Sequence, residues 1–135
     1  MPGGLTYAQF AEGLAAGRGQ VLARERVADL DTPVGAFLRL AQNRPNAFLL
    51  ESVEGGAARG RFSAIGMKPD LIWRCRGGKA ELNRHAQAAP HGFLPEEAAP
   101  LDSLRRLIGE SRLAVPAGLP SIAAGLFGFL GYDMV

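Results

Sequence analysis

The sequence predicts an α+β fold, an antiparallel β-sheet with helices packed on it. Three observations carry that expectation. Apolar residues recur at helical spacing in some segments and alternate with polar ones in others, so both periods are present. Glycine-rich and proline-rich breaks separate them, and the connections between neighbouring strand candidates are too short for parallel crossovers.

The elements follow in chain order. Thr6 and Gln9 have the spacing of a capping box, and Phe10 and Leu14 recur four apart before Gly17, which predicts a short amphipathic helix over residues 6 to 16. Val21, Ala23, Glu25 and Val27 alternate with Leu22, Arg24 and Arg26, a period of two that predicts a partly exposed strand. Thr32 then offers an N-cap hydroxyl before Pro33, and Val34, Phe37, Leu38 and Ala41 follow at the spacing of one helical face. Asn43-Arg44-Pro45-Asn46 ends that helix, because proline cannot continue the hydrogen-bond ladder and restricts the residue before it.

Residues Ala47 to Val53 and Arg61 to Met67 are strand candidates separated by a loop that begins Glu54-Gly55-Gly56. Leu71 to Arg76, Gly77-Gly78 and Lys79 to Leu82 form a predicted hairpin, since two glycines supply the positive φ angles of a primed turn. His85 to Pro100 has little periodicity and reads as a surface loop. Leu101, Leu104, Leu107 and Ile108 mark another helix, with Asp102 placed where a negative charge suits the helix dipole. Ile122 to Tyr132 is apolar, with Gly125, Gly128 and Gly131 three apart, and the sequence stops soon after at Val135 without a cap or polar tail. That ending is expected of a chain that continues, with the glycines set for close packing against further structure.

A length of 135 residues fits a single domain spanning 1–135 with its own core. The hydrophobic share of 47% against 21% charged residues lies away from the composition of disordered chains. Cys75 is the sole cysteine, so no intramolecular disulfide forms and no cysteine-rich zinc site exists, which points to a reducing cytoplasm. No stretch is apolar for long enough to span a membrane. The basic residues Arg59, Arg61, Lys68, Arg74, Arg76 and Lys79 lie over two or three predicted strands with Phe62 and Trp73 as the interleaved aromatics. Such a spread is expected of a solvated sheet face, and no nucleic-acid groove is predicted.

Chemistry is sparse. Gly77-Gly78-Lys79-Ala80 lacks the first glycine and the hydroxyl of a phosphate loop, and the later glycines do not follow a dinucleotide fingerprint. His85 and His91 have no neighbouring nucleophile or paired carboxylate. The unusual feature is Leu49-Leu50-Glu51-Ser52, a carboxylate and a hydroxyl set into an apolar strand, with Arg61 and Phe62 following across a loop. One reading is a cross-strand Glu51–Arg61 ion pair with Ser52 bonded to backbone. The other is a free amino acid, whose ammonium calls for an acceptor such as Glu51 or Ser52, its carboxylate for Arg61, and its side chain for an apolar wall. Strand alternation sets Leu50 and Ser52 on one face and Glu51 on the other, so both polar residues reach one ligand only at a bulge or a strand end.

The run from Phe48 to Gly56, continuing through Gly60-Arg61-Phe62-Ser63-Ala64-Ile65-Gly66, resembles the N-terminal region of anthranilate synthase component I. Gly125-Leu126-Phe127-Gly128-Phe129-Leu130-Gly131-Tyr132-Asp133 resembles that family's next signature, and Asp31-Thr32-Pro33 before a helix fits the same pattern. The resemblance implies an enzyme that turns chorismate and ammonia into anthranilate and pyruvate in tryptophan biosynthesis. It implies Mg2+ in the complete enzyme, a glutamine amidotransferase subunit as partner, and a C-terminal chorismate-binding domain that carries catalysis. No catalytic residue carries over to this chain. By the same resemblance Leu50, Glu51, Ser52, Arg61 and Phe62 are expected to contact L-tryptophan as feedback inhibitor. Aminodeoxychorismate synthase component I, which shares the Arg-Phe motif, is the nearest alternative, and a stand-alone amino-acid-binding module is another.

Overall fold

The computed structural model describes residues 5–41, 43–51 and 62–132. Among them are three α-helices and five short strands, an α+β arrangement whose strand pairs are all antiparallel. The chain divides into two compact units, Met1–Val27 with Leu101–Val135, and Ala28–Pro100.

The first unit begins with α1, Tyr7–Ala15, and its start is the predicted capping box. The Thr6 hydroxyl accepts from the Gln9 amide at 3.3 Å, and the Gln9 side-chain oxygen accepts from the Thr6 amide at 2.9 Å. Two otherwise orphaned donors are thereby satisfied. Beyond Gly17 the chain folds back, and the Gln20 side chain donates to the Phe10 carbonyl at 2.9 Å while covering the buried Gly13. Helix α3, Pro100–Glu110, presents Ser103 and Leu107 inward, four apart on one face. Proline at its first position loses no helical hydrogen bond, and Asp102 pairs with Arg105 on the exposed face at 2.8 Å.

One expectation for this unit is corrected. Residues 21 to 27 form no strand: they pair with nothing in a ladder, and Leu22 and Val27 are exposed. Alternation there places apolar and charged residues on both faces, so neither face drives burial and period two has no packing to enforce it. The segment Ile122 to Tyr132 holds one 3-10 turn, Ser121–Ala123, followed by irregular backbone, and Phe129 and Tyr132 are each 94% exposed.

The second unit opens with α2, Pro33–Ala41, capped by the Thr32 hydroxyl, which accepts from the Gly35 amide at 3.0 Å. Arg39 in the last turn pairs with Asp31, which ties the helix to the segment before it. Ala41 is buried, and the break that follows uses Asn43 and Asn46 at φ 60° and 57°, the left-handed region that asparagine tolerates. Strands β1, Phe48–Glu51, and β2, Ser63–Gly66, pair in the register Phe48↔Gly66, Leu49↔Ile65, Leu50↔Ala64 and Glu51↔Ser63, and α2 packs on both.

The second sheet contains β3, Ile72–Arg76, and β4, Lys79–Asn83, joined by the predicted two-residue turn with Gly77 and Gly78 at φ 55° and 73°. Positive φ at both central residues is the signature of the turn whose twist suits a hairpin. Its inner face carries Ala80 and Leu82, both buried, opposite Cys75 and Trp73. On the other face Arg74 and Glu81 pair at 2.8 Å, and the Arg74 guanidinium lies 3.5 Å over the Phe93 ring. Glu81 therefore offsets one cation of the basic run.

The segment from His85 to Pro100 is more ordered than a surface loop. Asn83, 1% exposed, donates from its side-chain amide to the Ala89 carbonyl at 2.7 Å and accepts from the His85 amide at 2.9 Å. Those bonds fold the chain back so that β5, Leu94–Pro95, joins the edge of β4. A two-residue strand containing proline has no periodicity to read, and proline is tolerated because the edge strand needs no donor on its outer side.

Candidate functional site

The candidate residues belong to one end of the β1–β2 ladder. Glu51 faces Ser63 in the last described pair, and Phe62 is the residue immediately before Ser63. Both Glu51 and Phe62 are exposed, Phe62 to 64%, and Leu50 is 48% exposed. A carboxylate, an aromatic ring and an aliphatic side chain thus lie exposed at one end of the ladder. Ser52 and Arg61 lie outside the described residues. By chain connectivity they are the residues next to Glu51 and Phe62, so the register of the ladder brings both flanks of the motif to the same end.

The local cause is the length of the apolar run. Phe48 and Leu49 are half-buried in the strand on which α2 packs, and from Leu50 onward, through the polar Glu51, β1 is exposed. Glu51 is therefore the last described residue of β1, opposite Ser63. Ser63 is also exposed and opposes Glu51 directly, so it adds a hydroxyl to the edge. The sequence reading did not single out Ser63, although its place right after the Arg-Phe pair was the available signal.

Other candidates do not assemble. His85 and His91 are both exposed, and His85 meets Asn83 through its backbone amide. Cys75 is half-buried in the hairpin. Among the described residues no group of three His, Cys, Asp or Glu could hold a metal ion, and no helix is long and apolar enough to cross a membrane. An open groove of about 240 Å³ lies between the end of α2 and Ala47, lined by Phe37, Leu38, Ala41, Asn43 and Arg44. It falls short of the roughly 300 Å³ at which small-molecule pockets begin.

Comparison with known proteins adds what geometry cannot. The chain is 52% identical over 130 residues to anthranilate synthase component 1 of Cereibacter sphaeroides, a match covering 96% of the chain and 26% of that protein. It is 40% identical over 113 residues to the protein of the same name from Mycolicibacterium smegmatis, covering 83% and 21% respectively. The Synechocystis counterpart is 34% identical over 130 residues, covering 96% and 25%. No family model matches, and no solved structure matches. The chain spans about a quarter of the length of these curated relatives. Identity of this extent across nearly all of the chain means that it belongs to the anthranilate synthase component 1 family, as a stretch of it.

Proposed function

We propose that this chain is the N-terminal, tryptophan-sensing portion of an anthranilate synthase component 1. The complete protein then converts chorismate and ammonia to anthranilate and pyruvate, with ammonia supplied by a glutamine amidotransferase subunit. The relatives bear the name component 1, which supports the presence of a second component. Mg2+ would serve that chemistry in the C-terminal chorismate-binding domain of the complete enzyme.

The observation that carries the reading is the shared ladder end. Leu50 and Phe62 offer apolar surface, Glu51 offers an acceptor for an ammonium, and Ser52 and Arg61 adjoin them in the chain. Arg61 is the natural partner of the effector carboxylate, because a guanidinium binds a carboxylate through two parallel hydrogen bonds. Ser52 is a small neutral group beside the ammonium acceptor. Inhibition follows if tryptophan binds the low-activity conformation more tightly, since only differential affinity shifts such an equilibrium.

The test is Ser52→Phe in the complete enzyme with its amidotransferase. The expected outcome is loss of tryptophan inhibition by about tenfold or more, with anthranilate formation in the absence of tryptophan retained. Unchanged inhibition would remove Ser52 from the effector site and the reading with it.

A further inference from the structure

We infer that Phe48 and Gly66 form the contact that sets the register of the β1–β2 ladder, and thereby position the tryptophan site at its other end. The inference rests on the proposed effector reading and adds two residues to it, neither of which touches the effector.

Phe48 and Gly66 are the first cross-strand pair, and Glu51 and Ser63 the last. A β-carbon built on Gly66 would overlap the Phe48 ring, so the ring occupies the space that any other residue at 66 would fill. Gly66 is also the one residue of β2 without a side chain, since its companions are Ser63, Ala64 and Ile65.

Register needs such a device here because the usual ones are absent. A tight turn fixes register in a hairpin, but the connection from Glu51 to Ser63 is long and contains Gly55, Gly56 and Gly60. Strict alternation also fixes register, but β1 begins with three apolar residues in a row, Phe48-Leu49-Leu50, and its burial does not alternate. Sliding the strands by one residue toward Met67 would still set Leu49 and Leu50 against Gly66 and Ile65, and in the other direction only Leu50 would meet a polar residue, Ser63. Either slip would, however, press the Phe48 ring against Ile65 or Met67, where a side chain stands in place of the gap. The ring and the gap therefore distinguish the observed pairing from its neighbours.

A one-residue slip turns every side chain of a strand to the opposite face. At the far end it would exchange Glu51 for a neighbour opposite Ser63 and misalign the two flanks that the effector must bridge. Phe48 and Gly66 act as positioning residues for regulation, at the end of the ladder away from the effector.

The experiment uses the complete enzyme with its amidotransferase and reads anthranilate formation across a tryptophan titration. Gly66→Ala fills the gap, and the atoms it meets belong to the Phe48 ring, so ring and gap no longer match in the observed pairing. Phe48→Ala removes the ring without adding bulk. Each is expected to raise the tryptophan concentration for half-inhibition by about tenfold, with activity in the absence of tryptophan within about twofold of the parent. Leu107→Ala serves as the matched control: it deletes buried bulk in the other unit and is expected to lower the melting temperature with unchanged inhibition.

Parent-like inhibition in Phe48→Ala overturns the inference, whatever Gly66→Ala does. If Ser52→Phe loses inhibition while Phe48→Ala keeps it, the effector reading stands and the register device falls. If Ser52→Phe keeps inhibition, the effector reading falls first. A loss of inhibition in Leu107→Ala equal to that in Phe48→Ala would also overturn the inference, because general destabilisation would then explain both.

Discussion

The β1–β2 ladder and the β3–β4 hairpin are both short antiparallel pairs in the same unit, yet they are specified in opposite ways. The hairpin is closed by two glycines at positive φ, sets the buried Ala80 and Leu82 on one face and the Arg74–Glu81 pair on the other, and gains β5 on its edge. The ladder has a long connection, three consecutive apolar residues and an exposed polar end. Turn, pattern and packing agree in the hairpin, which makes it scaffold. In the ladder, turn and pattern leave room for a neighbouring pairing, and the Phe48–Gly66 contact is left to choose between them.

Mutations can separate the two. The largest effect is expected from Leu82→Ala, which empties a position only 4% exposed in β4. Loss of transfer energy plus a cavity should cost about 2 to 5 kcal/mol, seen as a lower melting temperature and faster hydrogen exchange in β3 and β4. Next comes Asn83→Leu, which removes the donor to Ala89 and the acceptor for His85. Leaving those backbone groups unpaired should cost about 1 to 3 kcal/mol, and exchange should accelerate first at residues 85–92 and in β5. Gly78→Ala places a side chain at φ 73° and should cost about 1 to 2 kcal/mol, read as a drop in melting temperature that Gly78→Asn largely avoids. The smallest is Arg74→Met. It loses a pair to Glu81 whose side chains are a third exposed and a stack on Phe93, and should cost about 1 kcal/mol or less. All four are expected to spare tryptophan inhibition in the complete enzyme. A hairpin variant that abolished inhibition at unchanged stability would erase the distinction between the two regions.

Much of the fold was legible because several elements carry their own local chemistry. Thr6 with Gln9, Thr32 with Pro33, and Gly77 with Gly78 each dictate a boundary through a cap or a turn that needs no distant partner. What could not be read depends on tertiary contact. Residues 21–27 alternate without a burying face, β5 exists only because Asn83 folds the chain back, and Phe93 meets Arg74 from outside the hairpin. The candidate site was half legible. The wording around Glu51 and Phe62 pointed to the pair of strands, but only the register shows that both flanks leave the same ladder end, and nothing in the run singled out Phe48 against Gly66.

The placement of Trp73 has a spectroscopic consequence. It is the chain's single tryptophan and lies half-buried on β3, so intrinsic indole emission from this stretch reports the hairpin and is silent about the ladder. A red shift during heating would time the opening of the scaffold. A fluorophore introduced near residue 62 would time the Glu51–Ser63 end of the ladder independently. The two colours would then show whether the ladder end loosens before the hairpin does, as a switch mounted on a stiffer frame requires.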